Sequence, residues 1–127
     1  MSTNNKEALA QRFLSVLGHP NAEVVKGVSV DDMIWSFLGS ASISGEARGA
    51  DGIMQPARAI ASYGVKVEVL HAVYGFSGLA MILHNTGKSG DRILDKHLAA
   101  VFSFRGDRIV RLDTYLSDVS MMKKVFA

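Results

Sequence analysis

Residues 95–122, DKHLAAVFSFRGDRIVRLDTYLSDVSMM, constrain this chain more than any other stretch. Residues 97–104 and 109–116 are rich in β-branched and aromatic side chains, which predicts two long strands. Between them Arg105-Gly106-Asp107-Arg108 supplies the glycine that a hairpin of right-handed twist needs. A Ser-Asp reversal at 117–118 and a short amphipathic tail follow. Leu98, Ala100, Phe102 and Phe104 share one face of the first strand, while Ala99 and Val101 share the other. An antiparallel sheet with one wet face alternates more cleanly than this. One face therefore meets the protein's own core, and the other is expected to meet a second copy of the chain.

At 127 residues the chain is expected to form one domain with one core. Apolar residues make up 48% and charged residues 20%, ordinary for a globular protein and unlike a disordered one. The net charge is +2 and the basic residues are scattered, so no basic stripe points to nucleic acid. No apolar run reaches the roughly 18 residues of a membrane span. The polar start MSTNNKE has no apolar export core, and cysteine is absent, so a cytoplasmic location is expected and Cys-based metal or nucleophile chemistry is excluded.

Asn4, with Glu7 three residues on, fits a helix cap, and Leu9, Phe13, Val16 and Leu17 form one apolar face before Gly18 and Pro20. Asn21 fits the cap of a second short helix, AEVVKGV. Residues 33–38 read as a buried strand, and GSASISGEARGADG as a loop. A third helix carries Ile53, Ala57, Ile60 and Ala61 on one face, with an irregular start expected because Pro56 sits deep for a first turn, and an end at Tyr63-Gly64. Val65, Val67, Val69, His71 and Val73 alternate with Lys66 and Glu68, predicting a strand with a valine face that includes His71. The turn 75–78 leads back into a strand over 79–84. Residues 85–91, NTGKSGD, read as a polar loop; the Gly-Lys-Ser within it lacks the preceding glycine of a phosphate-binding loop.

Helix, helix, strand, loop, helix and four antiparallel strands define an α+β arrangement, with helices on one face of a curved sheet. The cleft between helices and sheet is the natural place for a small-molecule pocket.

DDMIWSFLG and ISGEARGADGI resemble the first-strand and third-helix signature of the nuclear-transport-factor-2-like superfamily, and VFSFRGDRIVRLDTYLSD resembles its terminal hairpin. The similarity runs over nearly the whole chain, closest to SnoaL-like polyketide cyclases and ketosteroid isomerases. It implies a single SnoaL-like domain over residues 1–127, a cystatin-like cone in which three N-terminal helices wrap a curved antiparallel or mixed sheet, and an apolar pocket. It also implies dimerisation through the sheet and no cofactor. The positions where the isomerases carry their tyrosine, base and acid match Phe13, Phe37 and Ala100 here, and the aspartate of the cyclase-like and epoxide-hydrolase-like members matches Thr114. Asp113 is one residue away, on the opposite face of a strand.

Other candidates come from the residues themselves. Asp95 and His97 lie two apart and share a strand face, the pattern of a carboxylate-oriented general base; a polar strand end is the competing reading. Asp113 with Arg111 fits either a pocket acid with its partner or an interface salt bridge. Trp35, Phe37, Met54, His71, Met81, His84, Thr114, Tyr115 and Met121 are the expected pocket walls, against core filling for Trp35, Phe37 and the methionines, a hydrogen-bonded core or interface position for His71, a loop start for His84 and a structural role for Tyr115. His19 reads as a solvated helix end. The four histidines lack ligand spacing, so no metal site is expected.

Two functions follow as expectations. The first is a cofactor-free acid–base cyclase, isomerase or dehydratase acting on an apolar polycyclic or terpenoid substrate, with His97, Asp95 and Asp113 moving protons. The second is a non-catalytic dimer of the same fold that binds a hydrophobic ligand; an accessory dimer with a filled core is the limiting case.

Overall fold

The computed structural model describes residues 3–37 and 45–116. Helices α1 (Thr3–Leu14), α2 (Ala22–Val28) and α3 (Gly49–Ala61) cover one face of a six-stranded sheet, with β1 Ser29–Phe37, β2 Gly45–Arg48, β3 Lys66–Tyr74, β4 Gly78–Ser89, β5 Arg92–Arg105 and β6 Arg108–Leu116. The strand order is β2-β1-β6-β5-β4-β3. All neighbours are antiparallel except β1 and β6, which run parallel. The sheet is thus mixed, and the fold is α+β.

The apolar face of α1 continues through a 3-10 turn at Ser15–Leu17, so Phe13, Val16 and Leu17 are buried together. The helix begins at Thr3, one residue before the expected Asn4 cap. Asn21 caps α2, its Oδ1 accepting from the Glu23 amide at 2.9 Å. In α3 Pro56 lies well inside the helix rather than near an irregular start. The carbonyl deprived of a partner by the missing N–H is that of Gly52, an exposed residue with no side chain to meet the ring.

Three differences from the sequence expectation matter for function. The first strand starts at Ser29, and the loop after it contains the short strand β2. In β3 the register shifts between Val69 and His71, so the alternation breaks. Val67 and Val69 face the helices opposite Asn85 and Leu83, whereas His71 and Val73 join Glu68 on the outer face. Residues 85–91 are not a loop: β4 and β5 pair in register from Gly78↔Ser103 to Ser89↔Arg92, around a turn whose Gly90 has φ +63°. This turn matches the one at Gly106 (φ +60°), a glycine followed by aspartate in both, with positive φ at the glycine alone, as a type II′ hairpin turn requires.

The long β4–β5 hairpin is tied to the end of α3. The Lys88 amide donates to the Tyr63 carbonyl at 2.8 Å, and a Cβ on Gly87 would stand 2.6 Å from that same oxygen. The reversal at 117–118, the tail and Met121 fall outside the described residues.

Substitution Gly87→Ala is expected to lower stability by about 1–2 kcal/mol, because the overlap with the Tyr63 carbonyl outweighs the entropic gain of ~0.5–1 kcal/mol from losing a strand glycine. Gly27→Ala in α2, where nothing lies within 4 Å of the added carbon, is expected to raise stability by up to ~1 kcal/mol. Urea unfolding of both variants measures the contrast, and a Gly87→Ala protein as stable as the parent would refute the close approach.

Candidate functional site

Strand parity sorts the candidate residues into two groups. On β5, Leu94, Lys96, Leu98, Ala100, Phe102 and Phe104 point toward the helices, and Asp95, His97, Ala99, Val101 and Ser103 point away. On β6 the residues turned inward include Ile109, Leu112 and Thr114, while Arg111, Asp113 and Tyr115 lie on the outer face.

The interior at one end is filled with rings. Phe13 meets Trp35 edge-on at 5.6 Å and Phe102 at 6.1 Å, and Trp35 packs on Phe37 at 4.6 Å. Such contacts add about 0.5–1.5 kcal/mol each beyond area burial. Phe13, Phe37, Ala100 and Thr114, which occupy the resemblance-derived catalytic positions, are all buried on this inner side. Met54 and Met81 are buried in the same core. No proton-transfer group is present among these positions.

Further along the inner face is a recess lined by Phe37, Ile60, Asn85, Leu94, Lys96, Leu98, Thr114 and Leu116. Its volume is about 330 Å³ with the open mouth included, of which about 30 Å³ can hold the centre of a water molecule. Five of the eight side chains are apolar. The other three are buried polar groups, with Asn85 7% and Lys96 3% exposed. Asn85 and Lys96 sit directly opposite one another on β4 and β5. Thr114 Oγ1 accepts a hydrogen bond from Trp35 Nε1 at 3.1 Å, which fixes the hydroxyl and leaves its proton free to be donated. Asn85 Oδ1 has no hydrogen-bond partner among the described residues. An unsatisfied buried carbonyl costs about 1–3 kcal/mol, and a fold keeps such an atom where a ligand, ion or ordered water completes it. Neither Asn85 nor Lys96 was among the sequence candidates. Had the Gly90-Asp91 turn been read as a hairpin, the alternation of Leu94, Lys96 and Leu98 would have exposed Lys96 as an inward cation.

The expected acid–base residues lie on the other side of the sheet and do not form one constellation. Asp95 bonds His84 rather than His97, with Oδ1 2.6 Å from His84 Nε2. Glu68 Oε1 is 3.8 Å from His84 Nδ1. The His84 and His97 rings stack in parallel, centroids 4.4 Å apart. Asp113 is held separately: its Oδ1 accepts from Ser36 Oγ at 2.6 Å and from Arg111 Nε at 2.8 Å, and Arg111 Nη2 donates to Glu46 at 3.1 Å. Bonds to Asp113 and then to Glu46 raise the affinity of Arg111 for its proton, so it is a fixed cation. Between these two polar groups runs an apolar band that includes Val73, Ala80, Ile82, Ala99, Val101 and Tyr115, with Val73, Ile82 and Tyr115 exposed. Of the expected pocket walls, Phe37 and Thr114 line the recess and Trp35 bonds Thr114, whereas His71, His84 and Tyr115 are on the outer face. Among the described residues no group of three or more His, Asp or Glu is placed to hold a metal ion, and no helix is long and apolar enough to cross a membrane.

No protein-family model matches the chain, and no curated protein does. Solved structures do. An NTF2-like protein from Burkholderia xenovorans is 16% identical with a TM-score of 0.80, covering 100% of this chain and 99% of its own. A protein with a cystatin-like fold from Xanthomonas campestris is 16% identical with a TM-score of 0.76, covering 96% and 98%. An epoxide hydrolase of the LEH-like type from Mycobacterium tuberculosis is 18% identical with a TM-score of 0.72, covering 98% and 90%. The chain has the NTF2-like, cystatin-like fold.

Substitution Asn85→Leu, which keeps the size and removes the orphaned acceptor, is expected to stabilise the ligand-free protein by about 1–3 kcal/mol. Thermal unfolding checks this; a drop in melting temperature of several degrees would mean that Asn85 is fully satisfied in the fold.

Proposed function

We propose that the protein binds a small, largely apolar molecule in the recess, with a polar head directed at Asn85 and Lys96 and an apolar body against Ile60, Leu94, Leu98 and Leu116. The observation that carries this reading is the buried, unpartnered Asn85 Oδ1 in a recess where five of the eight lining side chains are apolar. Small-molecule sites combine mostly apolar walls with a few placed polar groups; the space inside this recess is only about 30 Å³, so a ligand's polar head enters it while the apolar body lies across the open mouth.

A cofactor-free acid–base enzyme of the cyclase, isomerase or dehydratase type is the second reading. It is favoured by the LEH-like epoxide hydrolase among the structural neighbours and by a lysine amine at the same recess. Lysine serves as a general base or nucleophile where burial and neighbours tune it. In this reading Lys96 carries the chemistry and the outer groups Asp95, His97 and Asp113 do not.

The outer face fits pairing with a second copy. Its apolar band is flanked on the β3 side by Glu68 and Asp95 and on the β1 side by the mixed-charge group Arg111, Asp113, Glu46 and Arg48, so a two-fold arrangement buries the band and leaves polar groups at the rim.

Incubation with a panel of cyclic ketones, alcohols and epoxides, read by ligand-observed NMR and by mass spectrometry of the products, tests both readings. Binding that is lost in Lys96→Met and kept in His97→Ala supports the recess; a changed product lost in Lys96→Met supports catalysis there; loss in His97→Ala alone would move the site to the outer face. Ile82→Glu is expected to convert a dimer into a monomer in sedimentation at micromolar concentration, and a monomeric parent protein would refute the pairing.

A further inference from the structure

We propose that the head group recognised in the recess is a carbonyl with a hydrogen-bond donor on the neighbouring atom, of which an α-hydroxyketone is the plainest neutral case. This deepens the small-molecule reading above and rests on it.

Three side chains define the demand. Asn85 Oδ1 only accepts, is buried with its residue, and has no partner among the described residues; it asks for an O–H or N–H. Lys96 is the direct cross-strand neighbour of Asn85 on the same face. Its ammonium only donates, and with three protons it can serve a ligand acceptor alongside the interaction that it makes within the protein. Thr114, from β6, lines the same recess, and with Trp35 Nε1 occupying one lone pair it can donate its own proton. The recess therefore presents an acceptor directly across from a donor, with the Thr114 hydroxyl four residues further along the β5 ladder.

Directly opposed residues hold their Cβ atoms ~4.5–5.5 Å apart, so one compact group can reach both. A ligand satisfying the pair must donate toward Asn85 and accept from Lys96. A plain ketone leaves Asn85 unmet. An ether in place of the hydroxyl sets an acceptor against an acceptor. A carboxylate gains the ammonium but presses a charged oxygen toward Asn85 Oδ1. Sites that hydrogen-bond a donor reject analogues lacking it, because the protein's own buried group is then stranded.

The test uses four matched molecules: 1-acetylcyclohexanol, its methyl ether, cyclohexyl methyl ketone and cyclohexanecarboxylate. Dissociation constants are measured by ligand-observed NMR on the intact protein, on Asn85→Leu and on Lys96→Met, with circular dichroism reporting the fold of each. The hydroxyketone is expected to bind at least ~10-fold more tightly than the other three, and Asn85→Leu is expected to erase its advantage over the plain ketone while the protein stays folded. Lys96→Met is expected to weaken both ketones together. Equal binding of hydroxyketone and ether, or tightest binding of the carboxylate, overturns the head-group inference but leaves the recess as the site. Equal, weak binding unaffected by either substitution shows that a water satisfies Asn85 and overturns it too. Binding of none of the four overturns the inference together with the small-molecule reading.

Discussion

The pairing of β4 with β5 is the constraint on which the rest depends. Twelve consecutive residue pairs, unbroken by any bulge, run from Gly78↔Ser103 to Ser89↔Arg92. A ladder of that length with one covered face cannot slip by one residue without turning its entire core set to the outside. Leu79, Met81 and Leu83 on one strand and Leu98, Ala100 and Phe102 on the other set the register. Once it is set, Asn85 and Lys96 have no choice but to face inward. The hydrogen bond from the Lys88 amide to the Tyr63 carbonyl then holds the end of α3 close by, and the absence of a side chain at Gly87 allows that approach.

From this one register follows the separation of two kinds of chemistry by a single residue step. Asp95 and His97 point away from the helices and join His84 and Glu68 in an outer cluster; Lys96, between them in sequence, is enclosed. The inner face itself divides into two zones. Phe13, Trp35, Phe37 and Phe102 fill one zone with edge-on and tilted rings, and the resemblance placed proton-transfer groups at two of these positions, Phe13 and Phe37. The other zone carries the polar triplet Asn85, Lys96 and Thr114 among aliphatic walls. A fold tolerates a buried acceptor without a partner when something outside the fold completes it, and stability given up at such a place is a mark of function.

Much of the architecture was legible because local and global signals agree. The terminal hairpin, the apolar stripe of α1, the Asn21 cap and the helical face of Ile53, Ala57 and Ile60 all reappear in the structure. The site was less legible, for reasons that are physical. Ser89-Gly90-Asp91-Arg92 carries the same Gly-Asp-Arg turn as residues 105–108, but the polar residues around it mask the strand pairing, which depends on partners across the sheet rather than on propensity. The valine alternation of β3 misplaced His71, because a bulge changes the face of every residue beyond it and leaves no reliable mark in the sequence. Lys96 gives no signal of its own in the sequence, since an isolated lysine is, on average, a solvated one.

The proposed binding site lies inside the helix-covered face, at Asn85 and Lys96. Residue-resolved chemical-shift mapping on the isotope-labelled protein, titrated with 1-acetylcyclohexanol, addresses it most directly. The account predicts the largest shifts at the Asn85 side-chain amide, the Lys96 side chain and Thr114, with His84, His97 and Asp113 unmoved. Shifts confined to those outer-face residues would contradict it and return the search to the other side of the sheet.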